Sequence, residues 1–142
     1  FLLVSSLTCV IGQRVLRRLC ENCKKKVKPT AEQEKDIKNV LGKLYETGLD
    51  TQKKKTKASK LTLWETEGCD ECNGTGYKGR VGIFEVFTLS DEISKLIVEK
   101  ASDNDIEKKA REQGMMTMKQ DGYLKALEGI TTIEEVLRVA EF

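Results

Sequence analysis

The 142 residues contain no histidine and a single proline, Pro29, and only 6% of them are aromatic. Without imidazole, the side chain used most often for proton transfer is missing, and the carboxylates fall in helix-cap positions and on solvated faces. No acid–base pair stands out. The phosphate-loop pattern Gly-x4-Gly-Lys-Ser/Thr is also absent, so these residues encode no nucleotide cradle of their own. The most apolar stretch, Phe1 to Gly12, is too short to cross a bilayer, and no Met or basic segment precedes it as in a signal peptide. The missing initiator Met and an apolar opening that asks for burial lead us to expect the C-terminal piece of a longer protein.

Charge of one sign does not dominate. The net charge is +2, with 34% charged and 39% hydrophobic residues. It is unevenly spread, with 17 Lys/Arg against 10 Asp/Glu in residues 1–80 and 8 against 13 in 81–142. Four bound thiolates would bring the sum near zero, so the basic pI does not by itself indicate a nucleic-acid partner.

Cysteine is what the chain does have. Four of its five cysteines form two Cys-x-x-Cys pairs, Cys20/Cys23 and Cys69/Cys72. A two-residue gap lets one tight turn present two thiolates to one ion, and two such turns complete a tetrahedron. With no histidine the set is all sulfur, which leaves no open coordination position. Such a Zn²⁺ is structural, and its binding energy goes into folding. Disulfides would leave Cys9 over, and cysteine pairs amid abundant Lys and Glu suit a reducing cytosol. The 45 residues between Cys23 and Cys69 exceed a simple zinc ribbon, so the ion should clasp a helix-bearing loop against strands. Gly74-x-Gly76-x-x-Gly79 formally matches a dinucleotide fingerprint but follows a cysteine pair and precedes a strand, the wrong context for a Rossmann site. Its glycines are better placed to turn amides toward the sulfurs.

Periodicity predicts an α+β fold, mainly helical. Leu3, Leu7, Ile11 and Val15 repeat every four residues and predict a helix over 2–19, with Cys9 packed on its apolar face. Thr30 caps a second helix ended by Gly48. Asp50 to Lys60 reads as an exposed lysine-rich loop, and Leu61 to Glu65 and Arg80 to Phe87 as strands with Trp64 and Tyr77 shielding the site. Four short helices follow as a C-terminal bundle, capped by Ser90, by Ser102 or Asp103, and by Thr131 or Thr132, the third running over 117–128. Lys53, Lys54, Lys55, Lys57 and Lys60 are a solvated loop or a contact for anionic lipid or an acidic partner.

Several stretches together resemble the C-terminal end of the assembly-type ATPases of type II secretion and type IV pili (the GspE/PilB family). They are Gln13-Arg14-Val15-Leu16-Arg17-Arg18-Leu19-Cys20, then Gly68-Cys69 through Cys72-Asn73-Gly74-Thr75-Gly76-Tyr77-Lys78-Gly79-Arg80-Val81-Gly82-Ile83-Phe84-Glu85. Gly114-Met115, Asp121-Gly122 and Gly129-Ile130-Thr131-Thr132-Ile133-Glu134-Glu135-Val136-Leu137-Arg138-Val139 follow in the family's order, and 24–67 matches poorly. The resemblance implies a cytoplasmic, homohexameric ATPase at the inner membrane, whose ATP/Mg²⁺ site lies mainly before Phe1. It implies contacts with neighbouring subunits and with inner-membrane platform proteins. It divides the chain into the end of the ATPase core (1–19), a tetracysteine zinc lobe (20–89) and a helical subdomain (90–142), with Arg14, Arg17 or Arg80 approaching nucleotide or a neighbour. Pilus-retraction relatives lack the four cysteines, which points to assembly or secretion, and the wording around Tyr77 to Glu85 leans toward pili. Two other classes fit parts of the chain. A J-protein-like zinc chaperone module shares the pattern of Cys69 to Gly76, although Cys20 to Lys26 lacks its glycines. A zinc-stabilised nucleic-acid binder would use the basic first half.

Overall fold

A computed structural model describes residues 1–57 and 60–140. It is a mainly helical α+β chain with seven α-helices and four strands among the described residues. In order these are α1 (Leu2–Ser6), β1 (Cys9–Leu19), β2 (Lys24–Val27), α2 (Ala31–Leu41), α3 (Tyr45–Thr56), β3 (Leu63–Thr66), β4 (Tyr77–Thr88), α4 (Asp91–Val98), α5 (Asp103–Glu112), α6 (Met118–Leu127) and α7 (Ile133–Ala140). Strand β1 pairs with β4, and β2 with β3. The β2–β3 pair is antiparallel, in register from Lys24 opposite Thr66 to Val27 opposite Leu63.

The chain forms two compact units, one of residues 1–13 and 84–117, the other of 14–83 and 118–142. In the larger unit, Leu16, Ile37, Leu41, Leu63, Ile83, Tyr123, Leu127 and Val136 form one apolar core. Helices α6 and α7 approach closely at Gly122, where a Cβ would lie 2.5 Å from Val136 Cγ1. That contact accounts for the glycine after Asp121. The buried Tyr123 donates its hydroxyl to the Asp36 carboxylate at 2.6 Å, tying α6 to α2. In the smaller unit α4 packs on α5. Ser90 and Ser102 cap these helices by accepting from the amides of Ile93 and Asp105, in the positions expected from sequence.

The expected helix over 2–19 is instead the five-residue α1 followed by the eleven-residue strand β1. A repeat of four is close to the helical period of 3.6 but is also a multiple of the strand period of two. Residues spaced by four therefore share a face in either structure, and β-branched Val10, Ile11 and Val15 favour the strand. The supposed inner face points outward, for Ile11 is 60% and Val15 49% exposed while Leu16 and Leu19 are buried. Cys9, expected to be packed on that face, is exposed.

The second helix has its Thr30 cap as expected, in a reciprocal capping box with Gln33. It ends at Gly42, and Gly48 lies inside the next helix. The lysine-rich segment is largely the C-terminal half of α3 rather than a loop; residues 58 and 59 of it lie outside the described residues. Gln52 anchors this helix. It is 1% exposed, and its amide donates to the carbonyls of Thr62 (2.5 Å) and Leu127 (2.9 Å) and accepts from the Thr62 N–H. Lys53, Lys54 and Lys55 then sit in the last turn, where cations suit the negative end of the helix dipole. The four C-terminal helices are present, α4 and α5 in the smaller unit and α6 and α7 in the larger.

Candidate metal centre

Two tight turns bring the four cysteines together. Cys20 follows the last residue of β1, and the amides of Cys23 and Lys24 donate back to its carbonyl at 3.4 and 3.1 Å. The second turn is a short 3-10 helix over Asp70–Cys72, closed by the amides of Cys72 and Gly74 on the Cys69 carbonyl. The turns are joined directly, the Cys20 N–H donating to the Gly76 carbonyl at 2.9 Å. Gly76 adopts φ +78°, and a Cβ there would meet Thr66 Cγ2 at 2.2 Å, so this position suits glycine alone.

All four sulfurs lie within 4.8 Å of one another. Cys20–Cys69, Cys23–Cys72 and Cys69–Cys72 are each 3.8 Å apart. A tetrahedron with Zn–S bonds of about 2.3 Å has an edge of about 3.8 Å, so the donor set fits a tetrahedral thiolate ion. The separations are far beyond a disulfide bond of about 2.05 Å, and all five cysteines are free.

The surroundings favour thiolates. Cys72 Sγ accepts from the amides of Cys69 (3.2 Å) and Gly76 (3.1 Å), and Cys69 Sγ from the Asn22 side chain (3.3 Å). Burial works against the Cys72 thiolate, but the two amides together with the sulfurs of Cys69 and Cys23 outweigh it and lower the thiol to about 6. Cys69 also lies below the ordinary thiol range, chiefly through Asn22. At Cys23 the Thr66 hydroxyl pulls the other way, yet burial and the neighbouring sulfurs push the thiol up to about 11. One cation added to this cluster replaces the protons its sulfurs would otherwise share.

A second cluster braces the end of β1. The Glu135 side chain, 1% exposed, accepts from the Arg17 backbone amide at 3.0 Å and from the Arg17 guanidinium at 3.1 and 2.7 Å. Arg138, one helical turn on, adds contacts of 2.9 and 2.6 Å. Burial alone would raise this carboxyl; the hydrogen bonds from Arg138 and Arg17 outweigh it and hold it at about 2. The Arg17 guanidinium also lies 4.2 Å over the Tyr77 ring, whose hydroxyl meets Thr132 Oγ1 at 3.0 Å. Thr132 in turn accepts from the Glu135 amide, and Thr131 donates to the Arg17 carbonyl. Glu135 lies in the first turn of the helix that follows the Thr131 or Thr132 cap. Its spacing to Arg138 was visible, but nothing local in the chain announces a partner 118 residues away.

Of the three arginines singled out from sequence, Arg17 is thus held by Glu135, and Arg14 donates to the Val139 carbonyl at 2.5 Å. Arg80 is exposed on β4, and its side chain has no hydrogen bond or ion pair among the described residues. Trp64 is stacked by the ammonium groups of Lys24 (4.9 Å) and Lys26 (5.5 Å), and Lys24 also donates to the Gly129 carbonyl. No helix among the described residues is long and apolar enough to cross a membrane.

Comparison with known proteins adds to this geometry. The family model described as "Type II/IV secretion system protein" matches residues 1–138. The type IV pilus assembly ATPase PilB of Thermus thermophilus is 41% identical over 137 residues, 96% of this chain and 14% of that protein. PilB of Pseudomonas aeruginosa is 36% identical over 99% of this chain and 22% of its own length. The type II secretion system ATPase E of Vibrio cholerae is 36% identical over 99% of this chain and 25% of its own. The chain therefore spans a quarter or less of these relatives.

Proposed function

The chain belongs to the type II/IV secretion system protein family, and we propose that it is the C-terminal, zinc-binding region of a hexameric ATPase powering type IV pilus assembly or type II secretion. The observation that carries this reading is coverage. ATPases named for both machines match 96–99% of the chain, and its four cysteine sulfurs lie within 4.8 Å of one another, close enough to hold one ion. ATP and Mg²⁺ would bind mainly outside these residues, in a protein working in the cytoplasm at the inner membrane. Neither a J-protein module nor a nucleic-acid binder accounts for similarity of that extent.

Cys20, Cys23, Cys69 and Cys72 would hold the ion, which supplies cross-linking and no open position for substrate. The chain's own residues do the rest. Their turns grip β1 where it ends and β4 where it begins, and the Glu135 bridge fastens the same end of β1 to α7. The result is a stiff element able to pass on displacement generated where ATP is hydrolysed. Of Arg14, Arg17 and Arg80, Arg80 is the one most available to a neighbouring subunit. Exposed Phe1, Leu2, Leu3 and Phe84 offer apolar surface to another part of the machine, such as a platform protein.

The test uses the full-length protein. With zinc bound it should hydrolyse ATP as a hexamer, and the Cys69→Ser/Cys72→Ser variant should lose zinc and at least tenfold in turnover. In cells, deletion should abolish surface pili or type II-dependent secretion. A full-length protein without ATP turnover, or a deletion that leaves both processes intact, would overturn the proposal.

A further inference from the structure

Lysines dispersed in sequence surround one cavity of the larger unit. It has a volume of about 690 Å³, and Lys26 from β2, Lys28 beyond it, Lys53 from α3, and Lys57 and Lys60 after α3 all line it. Glu34 is the acidic residue among its lining, and it is already paired with Lys38 at 2.7 Å. The α3 dipole explains cations on that helix, but not Lys26, Lys28 or Lys60, which belong to other parts of the chain. Lys26 donates to the Thr56 carbonyl, and Lys53 has a long contact of 3.7 Å to Asp50. Lys28, Lys57 and Lys60 have no side-chain hydrogen bond or ion pair among the described residues. Five like charges around one concavity raise its potential and concentrate anions there.

The remaining lining gives the ligand a second property. Half-buried Tyr45, Leu49 and Leu61 add apolar surface and one aromatic ring. Discrete ligands occupy clefts of about 300–1,000 Å³ lined by apolar groups with a few polar anchors. A flat lipid surface, the partner that a lysine run alone suggests, cannot enter a cleft. The geometry points to a soluble nucleotide bearing two or more phosphates, its phosphates among the lysines and its base toward Tyr45. The cleft shares no lining residue with the cysteine cluster.

The 142-residue chain lacks a phosphate loop, and variants of the cleft lysines distinguish nucleotide binding there from contacts elsewhere on the chain. The zinc-loaded chain is titrated, without Mg²⁺, with ATP, with tripolyphosphate, and with phosphatidylcholine vesicles containing phosphatidylglycerol. Calorimetry and the fluorescence of Trp64, which lies beneath cleft residue Lys26, are the readouts. The expected result is saturable one-to-one binding that weakens with salt, with ATP several-fold tighter than tripolyphosphate. Lys28→Glu/Lys60→Glu should weaken it at least tenfold. The control Lys43→Glu/Lys54→Glu, exposed and off the cleft, should not, and circular dichroism confirms folding of both variants. Equal binding by cleft and control variants, ATP no tighter than tripolyphosphate, or binding to vesicles alone would each overturn the assignment.

Discussion

Replacing Cys69 by serine will strip the metal from the chain and unfold the lobe around it. An apparent zinc affinity on the order of 10 kcal/mol or more exceeds the stability of most small domains, so its loss is decisive. Cys69 bridges the two turns, its sulfur 3.8 Å from those of both Cys20 and Cys72 and accepting from the Asn22 side chain. A hydroxyl in its place is a poor zinc ligand and leaves a three-sulfur site with a gap. The matching control is Cys9→Ser, since Cys9 is exposed and outside the cluster. It should retain both metal and cooperative thermal unfolding. A Cys69→Ser chain that melts like the parent while holding no metal would show that the cysteines are ordinary packed thiols.

Removing the Glu135 carboxylate will have the next largest effect. Breaking a buried pair by deleting one partner typically costs about 3–5 kcal/mol, because the other partner is left uncompensated. Arg17 and Arg138 are about half exposed and can turn to water, which places Glu135→Ala toward the lower end. The same bridge predicts a pH dependence. The folded carboxyl sits at about 2, below its ordinary 4.5, so its contribution is complete above the ordinary value and is lost as pH falls toward 2. Denaturant unfolding should therefore show the parent more stable than Glu135→Gln near neutrality, by about 3 kcal/mol at most. That advantage should shrink steadily below pH 4.5. A constant difference between the two chains from pH 7 to pH 3 would mean that the carboxylate is not held by its arginines.

The four-cysteine cluster was legible because its information is local. A cysteine pair two residues apart, followed by glycines, dictates a turn whatever surrounds it, and histidine was not there to offer an alternative ligand. The capped helices α2, α4 and α5 were readable for the same reason, since Thr30, Ser90 and Ser102 bond amides three residues away. What escaped was decided at long range. Strand β1 passes for a helix because four-residue spacing fits both periods, and only pairing with β4 settles the choice. Helix α3 looks like a loop until Gln52 is seen bonded to Thr62 and Leu127. Glu135 looks like an ordinary acid at the start of the last helix until Arg17 arrives from the other end of the chain.

The most direct measurement is the metal content of the purified chain under reductant, together with the reactivity of its thiols. The account predicts one zinc per chain, with Cys9 reacting readily and the four clustered cysteines protected until a chelator or mercurial displaces the ion. A folded chain with no stoichiometric metal and five freely reactive thiols would contradict it.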